Sequence, residues 1–302
     1  MGVSIERLRG SASAFENFTF PRYRHLLDPL STRTVAVAAC SGLRPLGLAL
    51  AEYAASKENA ELLSLFVDGQ DRRQGIGRAL LRACENALAE SGCKFVAAYH
   101  SNRLPGAPAF EATLRGCGWE APKVSRVRSA GRCGALAAAI AEWPGVRRLL
   151  QNPDFSFASW STVTDADDLA IERLSAEPTC VPNMSPNSWT GYIEPRASVA
   201  IRRRGTLVGW VLNRLHATDP EPILYCESAY IEHSLWRTAV LVAGYFHGYR
   251  MAAEHFGPDC VLHFFTGPRM PGMIALTRRR FAPVSMWVDD WLYSRKVLNG
   301  PA

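Results

Sequence analysis

One segment constrains this chain more than any other: Glu61–Arg82, reading ELLSLFVDGQDRRQGIGRALLR. An apolar run ends at Val67, a polar loop covers Asp68–Arg73, and Gln74-Gly75-Ile76-Gly77 opens a stretch with a new period. There Leu80, Leu81, Cys84, Ala87 and Leu88 recur at three- and four-residue steps, the apolar face of a helix that Gly92 stops. A helix N-terminus presents unpaired N–H groups and partial positive charge, so it attracts anions. Gly75 and Gly77 let an anion approach the backbone closely, and Arg72, Arg73 and Arg78 add charge at the same place. The spacing is neither G-x-G-x-x-G nor a Walker loop, since no Lys-Ser or Lys-Thr follows.

The surrounding pattern predicts a strand near Val3–Leu8, a helical stretch over Ser13–Leu27, and strands at Thr34–Ala39, Pro45–Ala54 and Glu61–Val67. After the Gly77–Glu90 helix come a buried strand, Phe95–Tyr99, and a second helix, Ala107–Arg115, leading to Gly118-Trp119. This order predicts an α/β (α+β) domain with a mixed central sheet flanked by helices.

The glycine loop resembles that of the GNAT acetyltransferases, Gln/Arg-x-x-Gly-x-Gly/Ala, met here by Arg72-Arg73-Gln74-Gly75-Ile76-Gly77. The resemblance extends in element order from Val3 to Trp119, with Gly118-Trp119 standing where the family usually has Gly-Phe. It implies an acyl-CoA co-substrate, acetyl-CoA in the first instance, and no metal. The pantetheine arm would pair with the backbone of Leu65, Phe66 and Val67. The pyrophosphate would sit on the N–H groups of Arg73, Gln74, Gly75, Ile76, Gly77 and Arg78 beside Arg72, and Asn102 would belong to the second cofactor segment. An amine or hydroxyl would attack the thioester directly, with a backbone N–H near the strand's splay stabilising the oxyanion.

The family often has a Tyr acid four residues before Gly-Phe; here Leu114 stands there, so the thiolate would leave unassisted or be protonated by water. Candidate bases are Glu52, Tyr53 and Glu61, and His100 ends the strand near the expected thioester. Each has an alternative reading: an exposed strand residue for either glutamate, a core ring for Tyr53, a structural hydrogen-bonder for His100.

Residues Ala130–Gln151 read as an Ala-rich helical bridge, after which the pattern begins again. A strand is expected at Phe155–Val163, a helix at Asp165–Leu174 and a hairpin of Ser198–Arg203 with Thr206–Leu215 around Arg204-Gly205. A strand Ile223–Tyr230, a helix Leu235–Glu254, a strand Val261–Thr266, a helix Met273–Arg280 and an aromatic strand Ser285–Arg295 follow. The expected organisation is a tandem repeat: 1–130 with the acyl-CoA cleft, 131–154 a linker, 155–302 a degenerate second GNAT-like copy. In that copy Trp236 and Thr238 are expected at the two glycine positions, which predicts that it does not bind CoA.

With 302 residues and 48% hydrophobic content the chain can bury two cores. The net charge of +6 comes from scattered residues, and the sequence has no nucleic-acid-binding signature. None of the eight cysteines makes a C-x-x-C, no H-E-x-x-H or G-x-S-x-G occurs, and the longest apolar run, Ala239–Phe246, is too short to span a bilayer. These features predict a cytoplasmic protein with reduced thiols and without nucleic-acid or membrane partners. The expected activity is N-acyl transfer to a small-molecule amine. Open alternatives are a non-catalytic acyl-CoA-binding protein, a donor held by an acyl-carrier protein, and a protein acceptor. Oligomeric state is left undetermined.

Overall fold

The computed structural model describes residues 2–216 and 222–298. The chain divides into two compact units, one running to Ser125 and taking up the residues from Asp290 onward, the other Arg126–Asp289.

The first unit contains strands β1 (Ser4–Arg7), β2 (Thr34–Ser41), β3 (Arg44–Tyr53), β4 (Asn59–Val67) and β5 (Phe95–Ser101), with helices α1 (Ile76–Glu90) and α2 (Ala107–Gly116). Its sheet runs β1-β2-β3-β4-β5, and residues 291–297 of the C-terminal strand pair antiparallel with β5. All pairings are antiparallel except β4 with β5. One face is covered by α1, whose Leu80, Leu81, Cys84 and Leu88 pack in one core with Val35, Val37, Ala49, Ala51 and Leu62. The other face is closed by two 3-10 turns, Ser13–Phe18 and Pro21–Leu26, through Phe15 and Leu27 on Leu48 and Leu50. The single helix expected over Ser13–Leu27 is thus split, because Pro21 holds Phe20 in extended backbone.

The second unit begins in strand β6 (Lys123–Arg132) and continues through α3 (Cys133–Ala141), α4 (Pro144–Leu150), β7 (Phe155–Ser159), α5 (Asp168–Ser175), β8 (Val199–Arg203), β9 (Thr206–His216), β10 (Ile223–Ile231), α6 (Val240–Phe256), β11 (Val261–Thr266) and α7 (Pro271–Leu276). The C-terminal strand is β12 (Trp287–Val297). The sheet runs β6-β11-β10-β9-β8-β7, and again one inner pair, β10 with β11, is parallel. The β8–β9 hairpin turns on Arg204 and Gly205, both at positive φ (50° and 85°), as a right-twisted two-residue turn requires.

Two expectations about organisation differ from this arrangement. The stretch 131–154 is no linker: Cys133, Leu136, Ile140 and Val146 are buried in the second unit's core. Nor does the second half keep its last strand, since residues from Asp290 onward belong to the first unit. There Lys296 donates to Glu85 on α1 (2.5 Å), which also accepts from Trp119 Nε1 (2.7 Å), and Arg295 pairs with Glu120. Strand β6 was not expected, because KVSRVRSAGR is too polar to read as a sheet strand.

Candidate functional site

The first unit's cleft is made by two interruptions of β4. Its parallel pairing with β5 ends at Leu62↔Ala98, so Leu63–Val67 run on without that neighbour. A bulge at Leu63 shifts the register with β3 and reverses which side chains face inward. Ala60 and Leu62 before it, and Leu65 and Val67 after it, all face the helix-side core. On the opposite face, Ser64 hydrogen-bonds Thr19 (2.8 Å) and Phe66 meets the Phe18 ring edge-on. Asp68 N donates to Leu46 O (2.8 Å), which makes Leu46 and Asp68 a hydrogen-bonded pair. By the alternation of antiparallel pairs, the backbone N–H and C=O of Val67 turn toward the open side.

The loop that follows is tied down by its own side chains. Asp68 accepts from Gln70 N (3.0 Å), Arg44 grips Asp71 with both carboxylate oxygens at 2.9 Å, and Arg72 Nε donates to the Val67 carbonyl (3.0 Å). Arg73 (φ 63°) and Gly75 (φ 83°) take left-handed backbone, which delivers the chain to α1 with Gly75 as N-cap and no side-chain cap bond. The first N–H groups of α1 are therefore left for solvent or a ligand. Gly75 is demanded by its φ. Gly77 is not demanded by packing, for a Cβ there would meet only Val67 Cγ2 at an ordinary 3.6 Å. Arg72, Arg73, Gln74 and Arg78 are exposed around this turn, and Arg78 lies over Gly116 at the end of α2. Leu65, Phe66, Val67 and residues 72–78 are thus brought to one place. Asn102 is engaged elsewhere: its backbone N–H donates to Asp290 O (3.0 Å) and its Oδ1 accepts from Asp290 N (3.1 Å).

The four catalytic candidates separate onto two faces. Glu52 and Glu61 lie directly opposite each other on β3 and β4. Burial raises the Glu61 carboxyl above its usual range; Arg22 pulls it down and Glu52 pushes it further up. Tyr23 stands beside this group, its own phenol pushed up chiefly by burial. Tyr53 points the other way, into the helix-side core, with its hydroxyl unpartnered. His100 is also buried, with Nε2 3.0 Å from Glu111 Oε1 and its ring edge-on to Phe110, while Nδ1 has no partner. Leu114 is a core residue. Sequence reasoning missed Arg22 and Tyr23; the only hint was the aromatic spacing of Phe15, Phe18, Phe20 and Tyr23.

The second unit repeats this frame with different side chains. The β10–β11 pairing stops at Tyr225↔His263, and a bulge falls at Glu227. Arg237 is left-handed (φ 61°), and α6 starts from Ala239. Matching Leu63 to Glu227, Arg73 to Arg237 and Gly75 to Ala239 sets the correspondence. The glycine positions are therefore held by Ala239 and Leu241, and the expected Trp236 and Thr238 stand three residues too early. Trp236 matches Arg72, and its indole Nε1 donates to Ile231 O (3.1 Å) as Arg72 does to Val67 O.

Among the described residues no group of three or more His, Cys, Asp or Glu side chains could hold a metal, and no helix is long and apolar enough to cross a membrane.

Residues 7–112 match the acetyltransferase (GNAT) family model. The comparison with curated proteins finds no match. Among solved structures, the chain is similar to a tandem GNAT protein from the clavulanic acid biosynthesis pathway (14% identity, TM-score 0.58, all of both chains covered). It is also similar to a GCN5-related N-acetyltransferase from Sphaerobacter thermophilus (14% identity, TM-score 0.56, 98% of this chain and 97% of that one). A third similar structure is a glucosamine N-acetyltransferase region of a fungal multi-domain β-N-acetylglucosaminidase (10% identity, TM-score 0.57, 97% of this chain and 38% of that one). At these identities the likeness is one of fold, and it runs through both units. Residues 7–112 of the first unit thus carry an acetyltransferase (GNAT) family domain, and the fold of the whole chain is that of the tandem GNAT structures.

Proposed function

We propose that the first unit transfers an acyl group, acetyl in the first instance, from CoA to the amine of a small molecule. The observation that carries this reading is Gly77, a glycine that nothing inside the chain requires, at an uncapped helix start ringed by exposed arginines. A pyrophosphate resting on those N–H groups is a sufficient reason for the missing side chain. The open edge of Leu63–Val67 suits the amides of pantetheine, with Arg72 giving up the Val67 carbonyl when the arm pairs there. A carrier-bound donor would use the same strand edge but leave Arg73 and Arg78 without a phosphate partner, so free CoA is the better fit.

Glu61 is the base we assign. It lies on β4 two residues before the bulge, half-buried, with a carboxyl raised toward the range where it can take a proton from an ammonium, directly or through water. The amine forms its C–N bond to the thioester carbonyl, the C–S bond breaks, and CoA leaves as thiolate. His100 and Tyr53, on the other face, have no such access.

The test is a turnover assay over a panel of small amines with wild type and Glu61→Gln. The expected result is a fall in kcat of about 10²–10⁴-fold with acetyl-CoA affinity unchanged. Activity in wild type should vanish as pH falls through the raised Glu61 pKa, because only the carboxylate accepts a proton. Tight acetyl-CoA binding without turnover on any amine would make the unit a binding module instead.

A further inference from the structure

The second unit encloses a cavity of about 380 Å³ in its own splay, where β10 and β11 part after Tyr225↔His263. That volume lies in the range of small-molecule sites. Its walls come from the bulge on β10, from Phe264 on β11, from Trp236 and Leu241 at the start of α6, and from Met184, Met270 and Met273. Leu241 stands where Gly77 stands in the first unit, and Trp236 where Arg72 stands. The Leu241 side chain closes the backbone approach that a pyrophosphate would need.

Besides Thr179, Asn183, Ser228 and Thr266, three residues with polar groups line this largely apolar chamber. Glu227, on the bulge, is neutralised by Arg214 at 2.6 Å. Arg269, exposed on the lining, makes no ion pair or hydrogen bond among the described residues. Tyr245 is a buried residue of α6 that lines the cavity, and no side-chain hydrogen bond ties it to another described residue. Burial holds that phenol well above its ordinary pKa, so it stays a donor. Methionine walls suit a flat or flexible apolar body.

We propose that this cavity is a second, CoA-independent site for a small carboxylic acid with an apolar aryl or alkyl body. Arg269 takes the carboxylate, and Tyr245 donates to an oxygen on the body. The inference does not depend on acyl transfer by the first unit.

The probe is 3-benzoylpropionate, which joins an apolar ring, a ketone oxygen and a carboxylate, with its neutral methyl ester as control. Titration calorimetry on the full chain should show one equivalent of the acid bound, and the ester about tenfold weaker or more. Arg269→Ala, a surface change that leaves folding alone, should cost the acid about tenfold and the ester nothing. Tyr245→Phe should weaken both by a few-fold. The double variant Gly75→Glu, Gly77→Glu should bind the acid as wild type does. No binding of the acid up to ~1 mM, which is weaker than about −4 kcal/mol, would overturn the proposal. So would equal binding of acid and ester, or an Arg269→Ala variant indistinguishable from wild type. Loss of acid binding in the glycine variant would place the ligand in the first cleft and sink the idea as well.

Discussion

Two carbonyls, Val67 and Ile231, sit at the same point of the same fold, and each is held by the side chain five residues later. In the first unit that side chain is Arg72, at 3.0 Å; in the second it is Trp236, at 3.1 Å. Around them the frames agree: a parallel pair that parts, a bulge on the longer strand, a left-handed arginine, a helix N-cap two residues on. The chemistry does not agree. Gly75, Gly77 and Arg78 have become Ala239, Leu241 and Val242, so a solvated, cationic helix start has become an apolar wall. Backbone geometry builds the splayed cleft, and three or four side chains at the helix start decide whether it can accept a phosphate.

The largest expected effect tests that division directly. Gly75→Glu with Gly77→Glu places two carboxylates against the proposed pyrophosphate seat and should weaken acetyl-CoA binding by roughly 100-fold or more, since like charges in contact cost several kcal/mol. Ala239→Glu with Leu241→Glu should leave acetyl-CoA affinity and its stoichiometry of one per chain untouched. Calorimetry of both variants decides it: a wild-type stoichiometry of two would mean that the second cleft also takes the cofactor.

A second effect, on stability alone, should be the same in both units. Gly47 pairs with Val67 and Gly209 with Ile231, and at each a Cβ would collide with backbone: Phe66 O at 2.4 Å and Tyr230 O at 2.5 Å. These glycines serve the scaffold, not the ligand. Gly47→Ala and Gly209→Ala should each destabilise their unit by about 3 kcal/mol, the upper end of overpacking costs. Denaturant melts of the two variants would show it. A mild cost at 209 and a severe one at 47 would mean that the second sheet has relaxed away from the first.

Much of the first unit could be read from its sequence, because its elements are short-range and periodic. Strands β2 to β5 and helices α1 and α2 follow from alternation, apolar spacing and glycine stops, and the loop at 72–78 carries its own chemistry. The second unit was less legible for a physical reason. Without glycines there is no punctuation at Ala239, and Leu235 and Trp236 fit the apolar face of a helix starting earlier, so α6 was expected five residues early and the glycine positions were misassigned by three. The exchange of the last strand could not be read at all, since strand pairing across more than 190 residues leaves no local trace in Trp287–Val297. Glu61 was a candidate from its sequence, but Arg22 and Tyr23 beside it escaped for the same reason, being brought there by the 3-10 turns folding over β4.

The smallest predicted effect separates the units by acid. Where α1 has Ala83, α6 has His247, stacked on Phe157 at 4.7 Å, with Nε2 buried and unpartnered and Nδ1 3.5 Å from Arg250 Nη2. Burial first, and the Arg250 charge second, lower its pKa from 6.5 to about 4. Between those values the unfolded chain binds a proton that the folded one refuses, so stability rises with pH across this window. The second unit should therefore keep this contribution above pH 6.5 and lose it progressively as the pH falls toward 4. His247→Gln, which fills similar space and does not titrate, should flatten that slope while leaving acetyl-CoA binding intact. Parallel acid-stability curves for wild type and variant, read by thermal melting across the window, would assign the acid sensitivity to other groups and leave His247 as a stacked wall residue.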